Sequence, residues 1–280
     1  MAKTNPIIQI ETLSYQYPTR DNFAVDNVSL TIQPGEFVAI IGQNGSGKTT
    51  LIKHFNGLLK PTSGRVIVDG HITTDLHMAE LAKFVGFVFQ NPDHQIFAQT
   101  VREEVAFGPK NLGFDDEKIK SLSLKVLGQM DLAGLEDEMP FQLSRGQRQR
   151  LAVASVLAME PAILIIDEPT TGQDWRESMA LMELVRELNE NGHTCIVTTH
   201  NMNLVSLFAR RVIVMRQAKI TLDGPTQDIF RYGPELKEAW IQPPVIYAIA
   251  QSLLPGIKLD KPIVPEDLAA LLVETIRNGR

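Results

Sequence analysis

One cysteine, no long apolar run and no excess of basic residues set the first limits on this 280-residue chain. The lone Cys195, inside the apolar run "TCIVTT", excludes an intramolecular disulfide and most thiolate metal sites, and reads as a buried strand residue. No stretch approaches the roughly 18 apolar residues of a membrane-spanning helix. The opening "MAKTNPIIQI" lacks the basic start and long apolar run of a secretory signal, so the chain is expected to be made and kept in the cytoplasm. A formal net charge of −6 and a pI near 5.6 leave no bulk basic footprint, and nucleic acid is not an expected partner. Internal repeats and low-complexity tracts are also missing. What remains is an ordinary globular composition, 44% apolar and 21% charged, sufficient for one sizeable domain and a smaller appendage.

Apolar, β-branched runs recur at "IIQIETL", "FVAIIG", "VGFVF", "AILIID" and "TCIVTT". The last four lack clean alternation, as parallel strands buried on both faces do. Helical spacing follows at residues 48–57, 147–159 and 175–189, and the alternation predicts a parallel α/β core. The segments "IIQIETLSYQY", "VSLTI" and "RVIVDG" read as turn-connected strands, which adds a small antiparallel sheet. From about 92 to 160 the pattern becomes helical, clearest in "DDEKIKSLSLKVLGQM", and predicts an inserted helical subdomain. After "DGPTQDIF" the core pattern stops. The division expected is a main domain over 1–225 and a small helical domain over 226–280, interrupted by Pro243, Pro244 and Pro255.

The segment "GQNGSGKT", Gly42 to Thr49, fits the spacing of a phosphate-binding loop and stands between a strand and a helix pattern, the context that such a loop requires. Gly45 and Gly47 let successive amides turn toward phosphate oxygens, and the helix start adds partial positive charge. Lys48 would reach the β- and γ-phosphates, and the Thr49 hydroxyl would take one Mg²⁺ position. Gly42, Asn44, Ser46 and Thr50 complete the candidate loop. "ILIIDEP" is a buried strand ending in two acids: Asp167 is placed to hold Mg²⁺, leaving Glu168 free to polarise an attacking water as general base.

With these stand "Q" at 90, "LSRGQ", "GQD" and "H" at 200, and the set resembles the ATP-binding cassette (ABC) ATPases in order and spacing over about residues 7–225. The resemblance implies a Mg²⁺- and water-sensing role for Gln90, a D-loop role for Asp174 and a γ-phosphate switch for His200. Tyr17 matches the aromatic that stacks on adenine, with Tyr15 the rival. It also implies that Ser144, Gly146 and Gln147 close over ATP held by a second subunit, so that the functional unit is a dimer. A helix-capping role for Ser144 is the alternative, since a Ser three residues before a Gln also fits a capping box. Two departures stand out: Arg145 occupies the usual second glycine of LSGGQ, expected either near the partner's phosphates or in solvent, and the D-loop reads Gly172-Gln173-Asp174.

"FQNPDHQIFAQTVREEVAFGP" and the tail, "LKEAWIQPPVIYAIAQSLLPG" and "IVPEDLAALLVE", are similar to the ATPase subunits of energy-coupling factor (ECF) vitamin and metal importers. That similarity implies ATP and Mg²⁺ as cofactors and a second ATPase subunit, either the same chain or a paralogue. It further implies a transmembrane coupling protein docked beside the Q-loop, a substrate-capture protein in the membrane, a place on the cytoplasmic membrane face, and tails that keep the subunits together. Ile96 and Phe97 are candidates for the coupling groove or, equally, for core. A conventional ABC transporter ATPase, a soluble ABC ATPase acting on DNA or ribosomes, and a P-loop small-molecule kinase are the competing readings. The last would leave LSRGQ and His200 without work.

Overall fold

The computed structural model describes residues 5–231, 233–253 and 265–277. Pro255 and the rest of the 254–264 linker lie outside them. In chain order the elements are β1 (Ile8–Gln16), β2 (Phe23–Ile32), β3 (Phe37–Ile41), α1 (Lys48–Ile52), β4 (Ser63–Val68), β5 (His71–Ile72), α2 (Met78–Leu81) and β6 (Val85–Val88). There follow α3 (Val101–Asn111), α4 (Asp116–Gln129), α5 (Arg145–Leu157), β7 (Ile163–Asp167), α6 (Trp175–Glu190), β8 (Thr194–Thr198), α7 (Met202–Phe208), β9 (Arg211–Arg216) and β10 (Lys219–Pro225). The described tail carries α8 (Thr226–Ile229), α9 (Gly233–Glu238), α10 (Val245–Leu253) and α11 (Pro265–Arg277).

Two sheets form, as the strand patterning predicts. β3, β6, β7 and β8 are buried at every residue, which follows from helices or a second sheet covering both faces of a parallel array. They lie in a six-stranded sheet of order β10-β9-β3-β8-β7-β6, parallel except for the edge strand β10. The alternating strands β1, β2 and β4, with the short β5, make an antiparallel sheet of order β2-β1-β4-β5. One apolar cluster joins the inner faces of both sheets through Ile8, Ile10, Val28, Val38, Ile40 and Ile165, around Leu51, Ile52 and Phe55 at and just after α1. Because β3 leads directly into the phosphate loop and β7, on the other side of β8, ends at Asp167, the carboxyl ends of the central strands bring these segments together.

The helical subdomain packs α3 and α4 against α5, burying Val101, Val105, Val126 and Leu127 with Leu151 and Val156. Cys195 lies inside β8, and burial pushes its thiol up to about 12, so it is an inert core group at neutral pH. Three elements differ from the sequence expectation. α1 stops at Ile52 rather than 57, α5 begins two residues earlier than expected, and β9 and β10 add a hairpin to the core sheet. The tail continues a cluster of the main domain: Ile229, Phe230, Leu236, Ile241, Tyr247 and Ala250 pack with Ala39, Ile41, Val212 and Val214. α10 still turns a stripe outward, with Val245, Ile249 and Leu253 exposed at a spacing of four.

Candidate functional site

A cavity of about 800 Å³ opens at the carboxyl end of the parallel sheet. It is lined by Asn44, Gly45, Gly47, Lys48, Thr49 and Thr50 of the phosphate loop and α1, by Gln90, Glu168, Thr171 and His200, and by Tyr17 with residues 19–24, the turn leading into β2 and its first two residues. Gly42, Ser46 and Asp167 are not part of that lining. The loop bends as it does because Gly47 has φ +107°, and a side chain there would collide with the Ala24 carbonyl at 2.4 Å. α1 starts without a side-chain cap and without an acidic residue in its first turn, so its own sequence leaves the first amides free for an anion.

Lys48 is 6% exposed, and its ammonium donates to the Gly42 and Gln43 carbonyls at 2.8 and 3.0 Å. Burial pulls its pKa below the ordinary lysine value, opposed by the nearby Glu168 and Asp167 carboxylates. A triphosphate gives this cation the charged partner that two neutral carbonyls do not. The Thr49 hydroxyl donates to Asp167 at 3.0 and 3.2 Å. Thr198 fixes the acidic pair: its hydroxyl donates to Asp167 Oδ1 and accepts from the Glu168 amide. Glu168 has φ +47° and sits 7% exposed, with its Oε2 accepting from His200 Nδ1 at 2.8 Å. The set suits Mg²⁺, since Thr49, Asp167 and Gln90 offer hard oxygen atoms. Among the described residues no group of three His, Cys, Asp or Glu could enclose a metal by itself. Mg²⁺ is commonly held by one or two carboxylates, water and substrate phosphates, which matches this sparse set.

Tyr17 and Tyr15 separate clearly. Tyr17 lines the cavity with its hydroxyl 3.2 Å from Thr50 Oγ1, whereas Tyr15 packs behind it, edge-on to Tyr17 and His54 at 4.9 Å. His54 is fully buried, and its pKa falls to about 4, chiefly from burial.

Ser144, Gly146, Gln147 and Asp174 are not among the residues lining the cavity. Ser144 and Gln147 cap α5 reciprocally, at 3.2 and 2.9 Å, and Asp174 caps α6 through the Glu177 amide at 2.8 Å. Arg145 reaches sideways to the Thr171 carbonyl, an arrangement that neither sequence expectation included. Ile96 and Phe97 also divide. Ile96 is core, while Phe97 is 59% exposed and packs edge-on to the exposed Phe107 in a groove of about 460 Å³ beside α3.

Sequence reasoning missed Thr198 and residues 19–24. Thr198 carried a faint signal, as a polar residue ending an otherwise apolar strand two positions before His200. Residues 19–24 have no motif.

Residues 25–171 match the family model described as ABC transporter. The chain is 40% identical to the energy-coupling factor transporter ATP-binding protein EcfA2 of Clostridium perfringens, over 97% of this chain and 99% of that protein. Among solved structures, cbiO1 from Clostridium perfringens, part of the ABC transporter complex cbiONQ, superposes with a TM-score of 0.76 at 34% identity, covering 88% and 99% of the two chains. The cassette MJ0796, a dimer in a post-hydrolysis state bound to ADP and Pi, gives a TM-score of 0.70 at 32% identity, covering 78% and 98%. Several curated ABC transporter ATP-binding proteins, 44–49% identical, are longer, and the chain spans only 42–44% of their length. Family model, full-length relative and superposed structures agree with the site geometry: the chain belongs to the ATP-binding proteins of the ABC transporter family.

Proposed function

We propose that this chain is the ATP-hydrolysing subunit of an ECF-type importer, working as one half of a dimer that closes around two ATP molecules. The observation that carries the reading is that Lys48, Thr49, Glu168 and His200 line one cavity, with Asp167 hydrogen-bonded to Thr49 at its edge, while the chain's own Ser144 turn is not part of the lining. A second subunit, identical or paralogous, would supply Ser144, Gly146 and Gln147 to that cavity, and the dimeric MJ0796 structure supports a two-chain unit. Tyr17 would carry the adenine. Lys48 and the loop amides of Gly45 to Thr50 would hold the phosphates, and Thr49, Asp167 and Gln90 the Mg²⁺. Mg²⁺, when bound there, would supply neutralisation of the phosphate charge. Glu168 takes the proton of the attacking water, and His200 fixes the carboxylate and faces the γ-phosphate end.

The importer assignment rests on the full-length similarity to EcfA2 and on the cbiO1 superposition, together with the groove at Phe97 and Phe107. That groove, whose lining residue Gln95 accepts from the amide of Phe89 beside Gln90, would receive a cytoplasmic helix of a transmembrane coupling protein and feel the nucleotide state, with a separate membrane protein capturing a vitamin or transition-metal ion. The chain itself has no described helix long and apolar enough to cross a membrane, so it would act from the cytoplasmic face. Residues 1–225 form the cassette in this reading, and the tail beyond them keeps the subunits associated through the outward stripe of α10.

The test is reconstitution in vesicles with the membrane proteins that co-purify with the chain. ATP-dependent uptake of a vitamin or transition-metal ion, absent with Lys48→Ala, is the expected result. ATP hydrolysis stimulated instead by nucleic acid, or transfer of phosphate to a small acceptor, would overturn the importer reading.

A further inference from the structure

Arg145, a departure from the family's usual signature turn, touches the segment just before Gln173, the departure in the D-loop. Arg145 is the first residue of α5, immediately after the Ser144 cap, and its Nη2 donates to the Thr171 carbonyl at 2.8 Å. Gly172 follows with φ +75°. A Cβ added there would stand 2.7 Å from both Cζ and Nη1 of Arg145 and 3.0 Å from Nη2. Three nearly equal distances mean that the guanidinium lies with its flat face on the glycine. No side chain fits between them, and the positive φ independently favours glycine. A second contact runs alongside, since a Cβ at Gly146 would meet the Glu177 carboxylate at 3.0 Å. The Ser144 turn therefore lies against both the Thr171–Gly172 segment and the Glu177 side chain at the start of α6.

The segment held by Arg145 matters because of its ends. It begins at Glu168, ends at the α6 cap Asp174, and places Thr171 on the nucleotide cavity. Its own backbone bonds are long: the Thr171 amide to the Glu168 carbonyl at 3.3 Å and the Gln173 amide to the Thr170 carbonyl at 3.2 Å. The Arg145 bond is shorter and charge-assisted, so it contributes more to holding the loop than either.

We propose that Arg145 is a positioning residue that fixes the Glu168–Asp174 loop to the Ser144 turn, with Gly172 as the matching seat for its guanidinium. Resting on the two-chain reading above, this links the turn that meets one ATP to the loop that carries the base for the other. A displacement of the turn on meeting the second chain's phosphate is passed through the Thr171 carbonyl to Glu168, three residues upstream. Hydrolysis in one site is thereby made faster by engagement of the other, without requiring it.

Two variants of the full chain test this. Arg145→Ala removes the bond from an exposed position at a helix start and leaves Ser144 and Gln147 to cap α5. Arg145→Lys keeps a charge that can still donate to a carbonyl but cannot lie flat on Gly172. Hydrogen exchange of the peptide spanning residues 168–175, read on the nucleotide-free protein, should rise severalfold in Arg145→Ala and less in Arg145→Lys. Steady-state hydrolysis should show kcat lowered about three- to tenfold in Arg145→Ala, partly restored in Arg145→Lys, with KM for ATP within about twofold of the parent. Unchanged exchange, unchanged kcat, or a loss confined to KM overturns the assignment. Failure of the two-chain reading shows separately, as ordinary ATP-driven dimer formation by Ser144→Arg, while the exchange measurement still judges Arg145 on the single chain.

Discussion

Glu168→Gln isolates the chemistry of the site from its architecture. The glutamine amide has nearly the same shape as the carboxylate, and its oxygen can still accept from His200 Nδ1, which lies 2.8 Å from Glu168 Oε2. The backbone amide at this position keeps both bonds to Thr198, at 3.0 Å each, and φ +47° suits glutamine no worse than glutamate. Folding stability should therefore stay within about 1 kcal/mol of the parent. Removing one negative charge from a cavity built for a polyanion leaves ATP binding equal or tighter. What is lost is the acceptor for the water's proton. General-base catalysis contributes roughly 10²- to 10⁴-fold, so hydrolysis should fall by that factor, equivalent to about 3–5 kcal/mol in the barrier. Single-turnover hydrolysis with labelled ATP measures the rate, and light scattering after size exclusion reports the ATP-bound dimer that should accumulate. A variant hydrolysing within threefold of the parental rate would show that the base lies elsewhere. Loss of ATP binding would show that Glu168 serves ground-state binding.

Lys48→Ala should abolish tight nucleotide binding, because the buried ammonium is the cation fixed against the phosphates; unchanged affinity by equilibrium dialysis would defeat that role. Phe97→Asp should uncouple hydrolysis from transport while leaving fold and ATP binding intact, as its ring is 59% exposed, and a thermal melt lowered by many degrees would mark it as core instead. His54 supplies a pH prediction. Its folded pKa of about 4 lies below the unfolded value of 6.5, so stability is unaffected above about pH 6.5 and falls as pH drops toward 4, when the unfolded chain takes up a proton that the folded chain refuses. The loss should reach roughly 2 kcal/mol at pH 5. Urea midpoints for the parent and His54→Gln should converge between pH 7 and 5, and parallel pH curves would contradict the buried-histidine account.

Much of the site was legible because its residues are contiguous and chemically demanding. The phosphate loop needs glycines and a lysine in fixed order, and Asp167 closes, with Glu168 just after it, a strand whose other residues are all apolar. The adenine-side tyrosine was not separable in sequence, since Tyr15 and Tyr17 stand two residues apart; Tyr15 lies within β1 and packs against His54, whereas Tyr17, just past the strand, lines the cavity. The β9–β10 hairpin escaped notice because its turn is Gln217-Ala218, both at positive φ without a glycine or asparagine to announce it. The Arg145–Thr171 bond joins residues 26 apart, a proximity that no motif announces and only the tertiary fold creates. Ile96 and Phe97 were indistinguishable by type and neighbourhood, yet one faces α5 and the other faces out.

The central claim is that each ATP is closed over by the Ser144 turn of a second chain. Mixing Ser144→Arg with Lys48→Ala tests it directly, because neither variant should hydrolyse ATP alone, yet in a mixed dimer one composite site carries both lesions and the other carries neither. The account predicts recovered activity that rises with the fraction of mixed dimer, up to about half the parental rate per dimer at full pairing if one intact site turns over by itself. Mixtures that stay inactive while mixed dimers form, or Ser144→Arg protein that closes normally on ATP, would contradict it.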